Sequence, residues 1–424
     1  MTDTYMENIP ILETLLEKNG SIVSIDFHPI EQLMAIVSAD DTVKLCKLSE
    51  NGTVLNCLDN SSANYKGVQS FTFHPTKPLL VTGNFDGTVK IWQINTHNNQ
   101  WQLLHILKKE FCKSMTFDTT GRLLAFCCQN GIVQVWRILD DDVTLSYRVA
   151  MLTNDDMSVN YIAFHPHLPI LAICRGNYTT KLWRMSSENE TNWICLGTME
   201  GHKNIISSVA FHPTEPLLLT GSWDNTAKLW RMSSEDETTW NCVATLEGHI
   251  KSILSVAFHP EGVFLCTGSW DMTINVWMMN KDKNSARHVF TLSNNSNIKH
   301  LAFYSSGMFL AVGCRDGSVK FFDFRFLTRG QRLKALMKPS SNIKHKLLTK
   351  LLDKIPDRQI RDNVMRRISG LVPIVFKQNM RNRPYNQPPV SGHDASHAQE
   401  VDTEGSLQNE SSGGKQSRQK NKRQ

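Results

Sequence analysis

One period runs through most of the chain and constrains its fold more than any other property of the sequence. The segment KLWRMSSENETNWICLGTMEGHKNIISSVAFHP, from Lys181, matches KLWRMSSEDETTWNCVATLEGHIKSILSVAFHP, from Lys228, at a shift of 47 residues. Phenylalanines equivalent to that of the Phe-His-Pro motif, here called the anchors, recur every 44 to 47 residues: Phe27, Phe73, Phe117, Phe164, Phe211, Phe258 and Phe303. Seven copies of such a unit predict one repetitive domain.

Two further positions keep a fixed distance from each anchor. Thirteen residues after it stands a turn residue: Asp40, Asp86, Asn130, Asn177, Asp224, Asp271 and Asp316. Six residues later stands, in most units, an aromatic side chain: Cys46, Trp92, Trp136, Trp183, Trp230, Trp277 and Phe322. Within the fifth unit, apolar runs at 205–211, 217–222, 226–232 and 240–246 are separated by turn signals. This spacing predicts four short strands per unit and an all-β fold.

A unit of this length with Gly-His before its first strand, Asp in its second turn and Trp closing its third strand resembles the WD repeat (WD40). The resemblance covers residues 11–324 and implies a seven-bladed β-propeller of four-stranded antiparallel blades. It further implies a hydrogen-bonded chain of His, Ser or Thr, Asp and Trp across a blade. The positions that match in full are His202, Thr220, Asp224 and Trp230 in unit five, and His249, Thr267, Asp271 and Trp277 in unit six.

The other units depart from this pattern. Units three and four have Asn130 and Asn177 in place of Asp, and unit one has Cys46 in place of Trp. We expect packing alone to hold these blades together. Unit seven has room for only three strands, at 298–303, 308–313 and 318–324, whereas an unassigned apolar segment, 11–17, precedes unit one. We therefore expect residues 11–17 to complete the last blade and remove an exposed sheet edge.

In WD-repeat proteins the residue before the turn Asp often projects onto the narrow face of the propeller and contacts partners. The equivalents here are Ala39, Phe85, Gln129, Gly176, Trp223, Trp270 and Arg315. Phe85, Trp223, Trp270 and Arg315 belong to residue types that are enriched in interface hot spots. They are therefore the candidate partner-binding residues.

Charge divides the chain into unlike parts. Residues 1–324 hold 25 basic and 32 acidic side chains, a net charge of −7, whereas residues 325–424 hold 21 and 8, a net charge of +13. The apolar spacing in 325–378 predicts a basic, mainly helical extension that packs on the propeller, binds a partner or contacts an anionic membrane. Residues 379–424 are polar and predict a disordered tail. Its basic ending is a solvated tail, a localisation signal or a nucleic-acid contact.

Several classes of protein are not expected. There is no apolar run long enough for a membrane-spanning helix, and no secretory signal is visible at the N-terminus. The ten cysteines show no zinc-finger spacing, so reduced core thiols in an intracellular protein, cytoplasmic or nuclear, are expected. No phosphate loop, dinucleotide motif or GxSxG motif occurs. We therefore expect no enzyme activity, no cofactor and no metal.

What remains is a binding role. The main hypothesis is a non-enzymatic scaffold, a monomeric propeller that binds other proteins or peptides on its faces. One alternative is a substrate receptor of a cullin-RING ubiquitin ligase, because Phe-Asp-Phe-Arg at 322–325 is similar to the Trp-Asp-x-Arg ending associated with docking to a ligase adaptor. This hypothesis rests on Asp323 and Arg325. Another alternative is RNA or chromatin association through the basic residues 325–424.

Overall fold

The computed structural model describes residues 11–325, with gaps at 17–19, 41, 50–53, 60–66, 96–99, 110–111, 129, 140–141, 153–157, 187–189 and 234–237. The chain divides into two units, Met1–Ser340 and Ser341–Gln424, and the second unit lies outside the described residues. The helices expected within 325–378 and the tail expected at 379–424 fall beyond the last described residue, Arg325.

Seven four-stranded antiparallel sheets form the blades of a propeller, as the repeats predict. Blade one contains Ile22–Phe27, Leu33–Ser38, Val43–Leu48 and Val54–Asp59 (β2–β5). Blade two contains Val68–Phe73, Leu79–Asn84, Thr88–Asn95 and Gln100–Lys109 (β6–β9). Blade three contains Cys112–Phe117, Leu123–Cys128, Val133–Arg137 and Tyr147–Leu152 (β10–β13), with a short 3₁₀ helix at Val143–Leu145.

The remaining blades repeat this arrangement. Blade four contains Val159–Phe164, Ile170–Arg175, Thr180–Met185 and Trp193–Met199 (β14–β17). Blade five contains Ile206–Phe211, Leu217–Ser222, Ala227–Met232 and Trp240–Leu246 (β18–β21). Blade six contains Ile253–Phe258, Phe264–Ser269, Thr273–Met279 and Ala286–Ser293 (β22–β25). Blade seven contains Ile298–Phe303, Phe309–Cys314 and Ser318–Asp323 (β26–β28), together with Ile11–Leu16 (β1).

Strand β1 joins the two ends of the described chain in one blade. It runs antiparallel to β28, with Ile11 beside Phe322 and Leu16 beside Ser318. The edge of β28 is therefore paired. This pairing matters because an open sheet edge could associate with other chains. Blade seven can open at this edge only if β1, which is more than 300 residues from β28 in sequence, dissociates from it.

The core lies between the blades. The second strand of every blade is buried at all six positions, because a neighbouring blade covers each of its faces. Apolar side chains suit such two-sided burial. One cluster contains Ile22 and Met34 of blade one together with Phe309 and Phe321 of blade seven. The closing contact is therefore as apolar as the others.

The histidines of the His-Pro turns connect successive blades. His28, His212 and His259 each place Nε2 within 2.9–3.0 Å of a carbonyl oxygen in the next blade, those of Lys77, Gly262 and Gly307 respectively. Nδ1 of each ring accepts a backbone N–H of its own turn. Burial lowers the pKa of all three rings, so they stay neutral and serve as structural bonds between blades.

The expectation of reduced thiols throughout is wrong for one pair. Cys46 in β4 and Cys57 in β5 lie opposite each other and form a disulfide, with 4.0 Å between their Cα atoms. Cys46 occupies the position that Trp holds in five other units. Blade one therefore has a covalent link at this position, contrary to the expectation of packing alone. The other eight cysteines are free thiols.

Candidate functional site

The full hydrogen-bonded chain is present in blades five and six. In blade five, His202 Nδ1 lies 2.8 Å from Asp224 Oδ2, and His202 Nε2 lies 2.7 Å from Thr220 Oγ1. Trp230 Nε1 donates to the same Thr220 oxygen at 2.9 Å. In blade six, the corresponding distances are 2.9, 2.8 and 3.1 Å, between His249 and Asp271, His249 and Thr267, and Trp277 and Thr267.

One arrangement of protons satisfies every member of the blade-five chain. The imidazole donates from Nδ1 to Asp224, Thr220 donates its hydroxyl proton to Nε2, and the indole N–H donates to the threonine oxygen. Burial alone would raise the pKa of Asp224, but hydrogen bonds from His202, from the Lys203 N–H and from Thr226 outweigh it and hold this pKa well below its usual range. The carboxylate is therefore ionised at neutral pH.

These residues have the composition of a hydrolase triad but not its accessibility. Thr220 and Thr267 are fully buried within their strands, and His202 and His249 are buried as well. A nucleophile must reach a substrate carbonyl, and these hydroxyls are already committed to indole and imidazole. The geometry supports a structural role in holding the turn against the blade.

Other blades use reduced versions of this chain. Trp92 Nε1 donates to Thr82 Oγ1 at 2.9 Å in blade two. In blade three, Trp136 Nε1 donates to Gln134 Oε1 at 3.0 Å. The expectation that packing alone holds this blade together is therefore wrong. The indole nitrogen of Trp183 in blade four is buried without a hydrogen-bond partner. Ile173 stands there at the position of Thr220.

The residues before the turn Asp are fixed by a repeated backbone contact. In six blades this residue donates its N–H to a carbonyl of the loop before the first strand, at 2.6–3.0 Å: Ala39 to Ser21, Phe85 to Gly67, Gly176 to Ser158, Trp223 to Ile205, Trp270 to Ser252 and Arg315 to Asn297. The seventh equivalent, Gln129, lies outside the described residues. The backbone thus holds these positions at the same end of every blade whose equivalent is described.

Four of these residues meet at one cavity. Ala39, Trp223, Trp270 and Arg315 line a space of about 560 Å³, whereas Phe85 and Gly176 are not among its lining residues. Trp223 is 40 % exposed and Phe85 is 56 % exposed, so both present apolar surface to solvent. Of the four candidate partner-binding residues, Trp223, Trp270 and Arg315 thus line one cavity and Phe85 does not, and their role in binding stays a prediction.

The inner strands complete the cavity. Val23, Asn160, Ser207, Leu254 and Lys299 line it, and all five stand four residues before an anchor. The cavity is therefore the mouth of the central channel, with inner-strand residues below and turn residues around the rim. Lys299 was not among the candidate residues predicted from the sequence, although it stands at the same offset from its anchor as Val23 and Leu254.

Two cations, Lys299 and Arg315, line the mouth. The guanidinium carbon of Arg315 lies 5.9 Å from the centre of the Trp270 ring, in cation–π range. Lys299 is half-buried, and its pKa is lowered by burial and by the positive charge of Arg315. The described residues that line the cavity include no carboxylate.

Asp26 lies on the same inner strand as Val23, three residues further along the chain. Asp26 precedes its anchor by one residue, and burial raises the pKa of its carboxyl to about 6. Burial, with Asp26 as the next cause, raises the pKa of Tyr161 in blade four to about 12. These two residues belong to the inner strands of non-adjacent blades, β2 and β14.

The pair proposed for adaptor docking lies at the other end of blade seven. Arg325 Nε donates to Asp323 Oδ1 at 2.9 Å, and its Nη2 donates to Oδ2 at 2.6 Å. Asp323 is buried, and Arg325 is partly exposed. The two residues thus form one ion pair, whose arginine remains accessible on one side.

No group of three or more His, Cys, Asp or Glu side chains that could hold a metal ion occurs in the described part of the chain. Within the same residues, no helix is long and apolar enough to cross a membrane.

Comparison with protein families finds the WD40 family, "WD domain, G-beta repeat", at residues 52–93, 193–231, 240–278 and 286–323. Each match begins at the outer strand of one blade and ends at the third strand of the next, so the sequence repeat straddles two blades. This offset explains why the last blade needs β1 from the other end of the chain. No curated protein matches the chain. The chain therefore contains WD40 repeats at four positions within a ring of seven four-stranded blades.

Proposed function

We propose that the protein is a non-enzymatic scaffold that binds other proteins at the mouth of its propeller. The observation that carries this proposal is the convergence of Trp223, Trp270 and Arg315 on one open cavity. Trp and Arg are the residue types that most often dominate binding energy when an interface desolvates them. A backbone hydrogen bond fixes each of the three positions, so little ordering of the backbone is needed on binding.

The test is affinity capture with the full chain and the double variant Trp223→Ala/Trp270→Ala. Proteins captured by the parent should be lost with this variant, because it removes the two largest apolar side chains of the mouth. A matched control is Leu145→Ala/Tyr147→Ala, which removes two exposed apolar side chains from the outer part of blade three. Equal capture by the parent and the tryptophan variant, both folded, would contradict the proposal.

Two other roles stay predictions. A ligase receptor requires Arg325 to be accessible, and the partly exposed Asp323–Arg325 pair meets that requirement. Co-purification of an adaptor and a cullin, abolished by Arg325→Ala, would establish this role. Nucleic-acid binding through residues 325–424 predicts salt-sensitive binding that is lost on truncation at residue 325. Almost all of that segment lies outside the described residues.

The expected intracellular location also stays a prediction. The Cys46–Cys57 disulfide is the observation against it, because disulfides persist mainly in oxidising compartments.

A further inference from the structure

Several cations of the described chain have acidic partners, whereas the two at the propeller mouth have none among the described residues. Lys283 and Arg231 pair with Glu215, Lys90 pairs with Asp86, and Arg137 pairs with Glu190. Lys299 and Arg315 form no salt bridge with any described residue. They line the same cavity as the candidate partner-binding residues Trp223 and Trp270.

This arrangement is costly without a ligand. A half-buried ammonium loses part of its hydration, and a second positive charge nearby adds repulsion. An anion placed between Lys299 and Arg315 would remove both penalties. Around them, the acidic excess of residues 1–324 makes a cationic mouth unusual for this body.

The tryptophans define a second requirement. Trp270 lies against Arg315, and a guanidinium that stacks on an indole still presents its N–H groups in its own plane. Those donors match the two oxygens of a carboxylate. Trp223, 40 % exposed in the neighbouring blade, offers apolar surface to a side chain next to that carboxylate.

The described ends of the chain leave this mouth uncovered. Ile11 lies beside Phe322, and Asp323 lies beside Phe309, at the end of blade seven away from the turn that carries Arg315. Both described ends therefore emerge on the opposite face. None of the described residues that line the cavity carries the missing anion.

We infer that the mouth of the propeller binds an acidic peptide segment of a partner protein. A carboxylate of the peptide lies between Lys299 and Arg315, and an adjacent apolar side chain packs on Trp223 and Trp270. This inference rests on the proposed function and adds the chemistry of the partner.

The experiment selects displayed random peptides on the full-length protein and measures the affinity of the best binder by fluorescence anisotropy. Selected peptides should be rich in Asp or Glu beside apolar residues. Lys299→Gln and Arg315→Gln should each weaken binding by about tenfold, because each removes a charged hydrogen-bond donor. The matched controls Lys281→Gln and Arg287→Gln, at exposed cations outside the cavity, should stay within about twofold of the parent.

A charge exchange separates recognition from mere loss of structure. Arg315→Glu should lose the acidic peptide and bind a version in which its critical Asp or Glu is replaced by Lys. Thermal unfolding of each variant, unchanged from the parent, shows that the fold is intact. Failure of this exchange in folded variants would overturn the inference.

The outcomes also separate the inference from the proposed function. Selection of neutral or basic peptides whose binding depends on Trp223 and Trp270 would refute the inference of an acidic partner. The proposal that the mouth is the binding face would still hold. Peptides that bind independently of the two tryptophans, or no selected peptide at all, would contradict both.

Discussion

Replacing Thr220 with valine tests whether the buried hydrogen-bonded chain stabilises the propeller. Valine has nearly the shape of threonine, so Thr220→Val opens no cavity. It does remove the oxygen that accepts from Trp230 Nε1 at 2.9 Å and donates to His202 Nε2 at 2.7 Å. Both of these groups are buried and would be left without that partner. At about 1–3 kcal/mol for each unsatisfied group, the free energy of unfolding should fall by about 3 kcal/mol.

Urea denaturation followed by tryptophan fluorescence measures this change. Thr267→Val, at the same position in blade six, should cost a similar amount. The control is Thr245→Val, because Thr245 is exposed and its hydroxyl bonds only the flexible Lys228 ammonium. It should change stability by less than about 0.5 kcal/mol. A Thr220→Val protein as stable as Thr245→Val would refute the reasoning.

Three further predictions follow from the closure, the channel and the disulfide. Deleting residues 1–17 should lower the melting temperature by at least about 5 °C, because β28 loses its neighbour; an unchanged melting temperature would contradict β1 as a stabilising strand. Folded Asp26, with its pKa raised to about 6, holds a proton that the unfolded chain releases at lower pH, so stability falls as pH rises from about 4 to 6. Asp26→Asn should therefore add about 1 kcal/mol to the free energy of unfolding at neutral pH and nothing at about pH 4, and equal effects at both would refute this. Reductant should destabilise the parent by about 3 kcal/mol and leave Cys46→Ser/Cys57→Ser unaffected; equal sensitivity of the two proteins would argue against the bridge.

Fixed offsets from the anchors predicted most of the fold. The strands expected at 217–222, 240–246 and 298–303 have those bounds in the structure. The apolar runs expected at 205–211 and 226–232 each begin one residue later as strands. Such accuracy is possible because seven copies of one unit report the same turn and strand positions, whereas a single copy would not.

The contacts that sequence reasoning missed depend on which residues face each other across strands. The Cys46–Cys57 pair follows from the register of β4 on β5, which the polar segment between them does not specify. Gln134 replaces a threonine oxygen from a different strand of the blade, so no fixed offset predicts it. The repeat offset of Lys299 from its anchor is that of Val23 and Leu254, but no motif marks this position, because its residue type changes from blade to blade.

Hydrogen exchange of the full-length protein, with and without a captured partner, tests the central claim most directly. If the mouth is the binding face, the partner should slow exchange in the turns around Trp223, Trp270 and Arg315 and in the loops that precede β18, β22 and β26. The outer strands β9, β13 and β17 should exchange as before. Slowed exchange confined to the outer strands or to the opposite face, with the three turns unchanged, would contradict the account.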